Sequence, residues 1–259
     1  MKVLFFDLDD TLLNSEHEIS ERNRNAIIQC KNQGLLIGYI TVRSPRKIKQ
    51  FLNNLPCDCI ANYNGAMIYA DGNLIAQNNI PYSDAITFMS QIYKVVPDIN
   101  MSCYCEPYCY RGNKLINIVT NEILDESIMA LTQCDFQRFR IVLNGYEKVN
   151  IEQYISPSMR YQVTINNTAI ITSKEATKEN AIKILMKHYN ITSDCAISFG
   201  DDTNDIGMLQ ASGIGVAMGN ALQEVKEAAA YITLTNDEDG VAEFIERYVL
   251  SKINKNIKK

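Results

Sequence analysis

Two aspartates stand two residues apart near the start of the chain, in the run Asp7-Leu8-Asp9-Asp10-Thr11, directly after the apolar stretch Val3-Leu4-Phe5-Phe6. Carboxylates at i and i+2 beyond a strand end can face one pocket if the chain turns there, and Asp10 and Thr11 are residues that turns accept. Open α/β sheets bind their ligands at the carboxyl ends of parallel strands. A pair of acids in that position has the makings of a nucleophile and a proton carrier, although nothing in the segment says which is which. A second cluster, Gly200-Asp201-Asp202-Thr203-Asn204-Asp205, follows the apolar residues 196–199 in the same manner. Asp7, Asp9, Asp201 and Asp205 in one crevice would repel one another strongly unless a hard divalent cation offset the charge. An all-oxygen donor set with room for water favours Mg²⁺.

A phosphoryl group bound beside four carboxylates needs cationic and hydrogen-bonding partners on its other side. Thr41, backed by Val42 and Arg43, ends the apolar stretch 35–40, and Lys178 opens a helical pattern that runs to Tyr189. Taken singly, such a threonine is a turn residue and such a lysine a solvated one. Arg43 reads equally well as an anion contact or as half of a surface ion pair.

The elements that must position these residues are legible in the apolar spacing. Residues 3–6, 35–40, 196–199, 214–218 and 231–233 are short runs of the kind found in strands buried on both faces. Helical patterns lie between them. Ser20 is a suitable N-cap for a helix that turns Ala26, Ile27 and Cys30 inward, with Gly34 as its stop, and Ser44-Pro45 opens a second helix carrying Ile48, Phe51 and Leu52. Strand, helix, strand, helix implies an α/β fold, a Rossmann-like, doubly wound parallel sheet. Between residues 81 and 172 the pattern changes, because the apolar segments there alternate as half-buried strands do. A helix over 83–96, strands over 103–110 and 115–120, a helix over 122–132, and strands over 138–143, 160–165 and 169–172 make a second α/β domain. The expected organisation is a core of residues 1–80 and 173–259 with an insert at 81–172.

Acid pair, threonine, lysine, then Gly-Asp-x-x-Asn-Asp is a series that resembles the motifs of the haloacid dehalogenase superfamily of phosphohydrolases. The likeness is closest to the Cof-type sugar-phosphatase branch, which carries a large α/β cap between the threonine and lysine motifs. Asn64-Gly65-Ala66, the segment 213–221 and the segment 236–242 resemble that branch too. The resemblance implies an Mg²⁺-dependent phosphatase acting on a small phosphorylated metabolite. Asp7 would take the phosphoryl group as an aspartyl phosphate, and Asp9 would protonate the leaving alcohol and then deprotonate water. It further implies metal ligation by Asp7, by the backbone carbonyl of Asp9 and by Asp201, with Asp205 behind them. Thr41 and the amides near Leu8 and Val42 would hold phosphoryl oxygens, and Lys178 and Asn204 would compensate shifting charge. Arg43 is the candidate anion contact, Asn64 and Gly65 would lie near the cap hinge, and the insert would close over the crevice. Three residues depart from the family, which has glycine where this chain has Asp10, Val42 and Glu179. Asp tolerates a left-handed backbone; β-branched Val disfavours it, so the turn after Thr41 is expected to be reshaped. Transfer to a sugar hydroxyl, as in a phosphomutase, and a non-catalytic sensor of phosphometabolites are the competing readings.

Composition bounds the rest. A net charge of -5 disfavours nucleic acid as a partner, and the N-terminal apolar stretch is too short for a signal peptide or a membrane span. Eight cysteines without framework spacing suit a reducing cytoplasm. Cys103, Cys105 and Cys109 lack the pairs typical of structural zinc, and Cys57 and Cys59 read as small buried residues of one strand face. A monomer or small homo-oligomer is expected.

Overall fold

A computed structural model describes residues 2–111, 114–117, 123–124, 135–146, 148–164 and 166–251. The chain separates into two compact units: one is built from two segments, the first ending at Ala76 and the second resuming at Thr177, and the other is the intervening Gln77–Ala176. In chain order the strands open with β1 (Val3–Phe6), β2 (Leu36–Ile40), β3 (Cys59–Asn62), β4 (Met67–Ala70) and β5 (Asn73–Gln77). The second unit supplies β6 (Met101–Cys105), β7 (Tyr108–Arg111), β8 (Lys114–Asn117), β9 (Ile123–Leu124), β10 (Arg138–Val142), β11 (Met159–Thr164) and β12 (Thr168–Ser173). The chain then adds β13 (Ala196–Gly200), β14 (Ile214–Ala217) and β15 (Tyr231–Ile232).

One sheet runs β15-β14-β13-β1-β2-β3-β4-β5, so β1 is central and the motif strands β13 and β2 flank it. From β15 to β3 all pairs are parallel, and β4 turns back antiparallel on β3. β1 is buried on both faces: Leu4 and Phe6 join one apolar cluster, Val3 and Phe5 the other. That is why the strand reads as a continuous apolar run. Helix α1 (Glu21–Asn32) begins where Ser20 accepts from the Asn23 amide at 3.1 Å, buries Ala26, Ile27 and Cys30, and is followed by Gly34 at φ 79°.

The second expected helix is shorter than its apolar pattern. Helix α2 (Pro45–Ile48) stops before Phe51 and Leu52, which still pack half-buried on the core, and Asn54 beyond them takes a left-handed φ of 64°. β3, β4 and β5 had no counterpart among the expected strands; β5 is largely solvated and lacks an apolar signature. Cys57 also departs from expectation, since it lies exposed ahead of β3 while Cys59 on that strand is buried.

The second unit is a seven-stranded sheet, β11-β12-β10-β6-β7-β8-β9, whose neighbours pair antiparallel. Helix α3 (Tyr82–Val95) packs Ala85, Phe88, Met89 and Ile92 against one face, onto Met101, Cys103, Phe139, Ile141, Ala169 and Ile171. Residues 103–110, expected as one strand, form a hairpin that turns at Glu106-Pro107, where proline supplies no ladder donor. Of the helix expected over 122–132, all but Ile123 and Leu124 lies outside the described residues, and those two form β9. Residues 118–120 and 165 of the expected strands also lie outside them. Among the described residues no helix is long and apolar enough to cross a membrane.

Candidate active site

β1 and β13 run in register, with Phe6 beside Phe199, so both acidic segments leave the sheet side by side. The Asp7 amide donates to the Phe199 carbonyl at 3.1 Å, continuing the ladder by one residue. The chain then turns: the amides of Leu12 and Leu13 donate to the Leu8 carbonyl, and Asp10 takes φ 54°, the left-handed conformation its side chain tolerates. Thr11, read from sequence only as a turn residue, donates its hydroxyl to Asp201 Oδ1 at 2.6 Å. Its place in the run after Asp7 was the one signal available.

Beyond β13 the backbone folds back on itself. Asp205 Oδ2 accepts from the amides of Asp201 and Asp202 at 3.1 and 3.2 Å. This close return needs Gly200, because a Cβ there would lie 2.5 Å from the Asp205 side chain. Asp205 is fully buried, and its Oδ1 accepts from Lys178 Nζ at 2.7 Å. Lys178 opens helix α4 (Lys178–His188), capped by Thr177 Oγ1, which accepts from the Asn180 amide at 3.0 Å. Gly65, at φ 104°, lets α4 approach, since a Cβ on it would meet the Thr177 carbonyl at 2.8 Å. Glu179, where the family has glycine, lies over helix α5 (Ile206–Ala211) at Gly207, which has no side chain to meet it.

Lys178 Nζ also reaches Asp7 Oδ1 at 2.6 Å, so one buried ammonium bridges two carboxylates. Burial alone would push the ammonium down; Asp205 and Asp7 outweigh it and hold it above its ordinary value. Burial pushes Asp7 well above the usual carboxylate range, with Lys178 opposing and Asp205 and Asp201 reinforcing. Asp201 is pushed up to about 7, chiefly by burial. Three carboxylates, Asp7, Asp201 and Asp205, bring ligand atoms within 4.8 Å of one another. They share one lysine, so the cluster carries surplus negative charge that a hard divalent cation would neutralise. The donors fit such an ion. Asp205, both oxygens already engaged, fits the supporting role.

Asp9 stands apart from the cluster. Its carboxylate accepts from Arg43 Nε at 2.9 Å and pairs with Arg43 Nη2, and the guanidinium lies 4.3 Å from the Phe51 ring centroid. Arg43 is therefore an internal clamp on the second aspartate. Thr41 is fully buried, and its hydroxyl accepts from the Arg43 amide at 3.1 Å. Val42 is not among the residues at positive φ, so the turn after Thr41 is made without the left-handed step that glycine would allow. That turn is braced by a residue absent from the sequence reading: buried Asn62 donates Nδ2 to the Arg43 carbonyl at 3.2 Å. Asn64, at φ 59°, donates its amide to the Thr41 carbonyl, and its side chain accepts from Asn204 Nδ2 at 3.4 Å. Asn204 Oδ1 is buried with no hydrogen-bond partner. Among the described residues no acceptor takes the Leu8 amide.

Away from this site, the cysteine triplet does not converge. Cys103 and Cys105 face α3, while Cys109 pairs across from Tyr104 on the other face.

A sheet whose strand β1 ends in a buried aspartate, bridged by lysine to a second acidic turn, has an arrangement that suits phosphoryl transfer. The family model described as haloacid dehalogenase-like hydrolase matches residues 4–245. The chain belongs to that family, in its Cof-type phosphatase branch, and is an enzyme acting on small phosphate esters. It is 30% identical over 251 residues to the 5-amino-6-(5-phospho-D-ribitylamino)uracil phosphatase YcsE of Bacillus subtilis, with 96% of each chain covered. A putative phosphatase of Haemophilus influenzae is 28% identical, covering 95% of this chain and 97% of its own. Among solved structures, a haloacid dehalogenase-like hydrolase from Bacteroides thetaiotaomicron superposes with a TM-score of 0.79 at 27% identity, covering 95% of this chain and 98% of that one.

Proposed function

We propose that this chain is an Mg²⁺-dependent phosphatase that hydrolyses a sugar phosphate or related small monoester through an aspartyl phosphate on Asp7. The observation that carries this reading is the buried Asp7–Lys178–Asp205 bridge beside Asp201, a charge arrangement that suits nucleophile and cation together. An Asp7 carboxylate oxygen attacks phosphorus, and the bond to the ester oxygen breaks with its electron pair leaving on the alcohol. Asp9 gives that alcohol its proton. Asp9 then takes a proton from water as the water oxygen attacks phosphorus, which releases inorganic phosphate and restores Asp7.

Mg²⁺ held by Asp7, Asp201 and the Asp9 carbonyl would supply Lewis-acid polarisation of the phosphoryl oxygens. Thr41 and the amides of Leu8 and Val42 bind phosphoryl oxygens, and Lys178 and Asn204 balance charge as it moves to the leaving group. Asp205 keeps Lys178 aimed at Asp7. Arg43 orients Asp9, and Asn64 and Gly65 support the threonine turn and α4. We assign the second unit the role of the family's cap.

The test is phosphate release by purified protein with Mg²⁺ from p-nitrophenyl phosphate and a panel of sugar and sugar-alcohol phosphates, a ribityl phosphate among them because of what YcsE is named for. Acid-quenched enzyme should carry phosphate on Asp7. Retained hydrolysis in Asp7→Asn would sink the mechanism, and transfer to added sugar without net phosphate release would make the enzyme a phosphotransferase.

A further inference from the structure

Residues 213–221 and 236–242 stand out in the sequence but have no task in the reaction as proposed. In the structure they hold both acidic segments. After β14 the Met218 amide donates to the Gly200 carbonyl at 3.0 Å, extending the ladder by one residue, and the chain then turns. Leu222 donates its amide to the Asp201 carbonyl at 3.1 Å, and Asn220 Nδ2 donates to the Asp10 carbonyl at 2.7 Å. One short turn thus grips the Asp9-Asp10 turn and Asp201 together. The Thr11 hydroxyl on Asp201 links the same two segments from the other side of the Asp10 carbonyl.

The gripping turn is itself anchored. Gly219 donates its amide to the Leu234 carbonyl at 2.9 Å, and a Cβ on it would lie 2.8 Å from the Thr235 nitrogen. Asn220 Oδ1 accepts from the Asn236 amide at 3.0 Å. Asparagine suits this position because its amide supplies a donor and an acceptor at once, here used towards two different segments. Buried Asn236 continues the hold by donating Nδ2 to the Leu13 carbonyl at 3.0 Å, and the Ser15 amide donates to Asp237 Oδ1 at 2.8 Å. The loop leaving β1 is therefore fixed at Asp10, Leu13 and Ser15 by side chains at least 210 positions away. Asp10 is left-handed, at φ 54°, a conformation that a non-glycine residue keeps only where its surroundings impose it.

We infer that Asn220 is a positioning residue of the cation site: it holds the Asp9-Asp10 turn at the spacing from Asp201 that one divalent ion needs. The cation comes from the phosphatase reading above, so the experiment separates the two. Mg²⁺ accepts little departure from its ligand geometry, and residues that orient its ligands govern its affinity. Calorimetric titration of Mg²⁺ into the full-length, metal-stripped protein should show binding about tenfold weaker in Asn220→Ala than in the parent. The melting temperature without Mg²⁺ should stay near the parent's, since Asn220 is exposed. Saturating Mg²⁺ should return kcat for p-nitrophenyl phosphate to near the parent value, a split that general loosening of the site would not give. Gln223→Ala, three residues on, removes an exposed amide bonded to Glu227 and should change none of these readings.

Unchanged Mg²⁺ affinity in Asn220→Ala overturns the inference, as does a parent that binds no Mg²⁺. A kcat that stays low at saturating Mg²⁺, or a variant that melts well below the parent without the ion, overturns it too. If Mg²⁺ binding responds to the substitution while the parent hydrolyses neither p-nitrophenyl phosphate nor any sugar phosphate, the phosphatase reading fails and the positioning role stands.

Discussion

The two sheets of this protein deploy charge in opposite ways. In the parallel sheet the charged residues sit beyond strand ends, buried, few and interlocked: Asp7, Asp205 and Lys178 are each at most 5% exposed. In the antiparallel sheet the cations lie along the strands on one face, and among the described residues Arg111, Lys114, Arg140 and Arg160 engage in no ion pair. A parallel strand buried on both faces can carry chemistry only at its end. An antiparallel strand with one solvated face can present a polar side chain at every second residue. The first arrangement gives a reactive centre in which each group depends on the next; the second gives a surface whose members act nearly independently.

That contrast predicts how differently the two regions respond to substitution. The largest effect belongs to Asp7→Asn, which should lower turnover of p-nitrophenyl phosphate by about 10⁴-fold or more while the protein remains folded, because Lys178 keeps Asp205 as its partner. Steady-state assay with near-ultraviolet circular dichroism reads both; activity near the parent level breaks the comparison at its root. Arg43→Met removes the clamp on Asp9 and should cost about 10²-fold in kcat, since a displaced proton carrier is a geometric loss. Rescue by Arg43→Lys should be partial, because lysine lacks the planar fork.

In stability, Lys178→Met strands two buried carboxylates and should cost about 3–5 kcal/mol in urea unfolding. Arg140→Ala, on the open face, should cost under about 0.5 kcal/mol in the same measurement. Equal costs would mean that the two regions are not organised differently after all.

The acidic cluster also predicts a pH response. Asp201 rises from its ordinary 3.8 to about 7 in the folded chain, and Asp7 moves in the same direction. Between those values the folded chain keeps a proton that the unfolded chain has released, so stability is greatest below about pH 4 for these groups and is lost as pH rises towards 7. In EDTA this contribution should lower the melting temperature as pH rises across that window, and Mg²⁺ should narrow the loss at the upper end. A melting temperature indifferent to Mg²⁺ at the upper end would show that the cluster does not bind the ion.

Much of this site was legible because its residues sit where local sequence has strong meaning. Apolar runs buried on both faces announced β1, β2, β13 and β14, and the polar residues just after them announced the strand ends. Ser20 and Gly34 marked α1 at both ends. What could not be read depended on pairing across the chain. Thr11 supports Asp201 from 190 positions away, and Asn62 holds the Arg43 carbonyl from a strand that carries no clear apolar pattern. Arg43 looked equally like an anion contact and a surface pair; its actual partner is Asp9, at the end of a neighbouring strand. The four basic residues 111, 114, 138 and 140 were visible in the sequence, but only the register puts them on one face. Val42 was expected to disfavour positive φ and so reshape the turn after Thr41, and it is not among the residues at positive φ.

The position of β1 has a consequence for the order in which the protein is made. β1 lies inside the sheet, and one of its two neighbours, β13, is contributed by the distant segment Ala196–Gly200. The whole of Gln77–Ala176 is synthesised between the two, as one continuous piece with its own apolar cluster. During translation the inserted unit has all of its sequence while β1 still has an open edge. Asp7 therefore gains its bridge through Lys178 to Asp205 only after the inserted unit has been made.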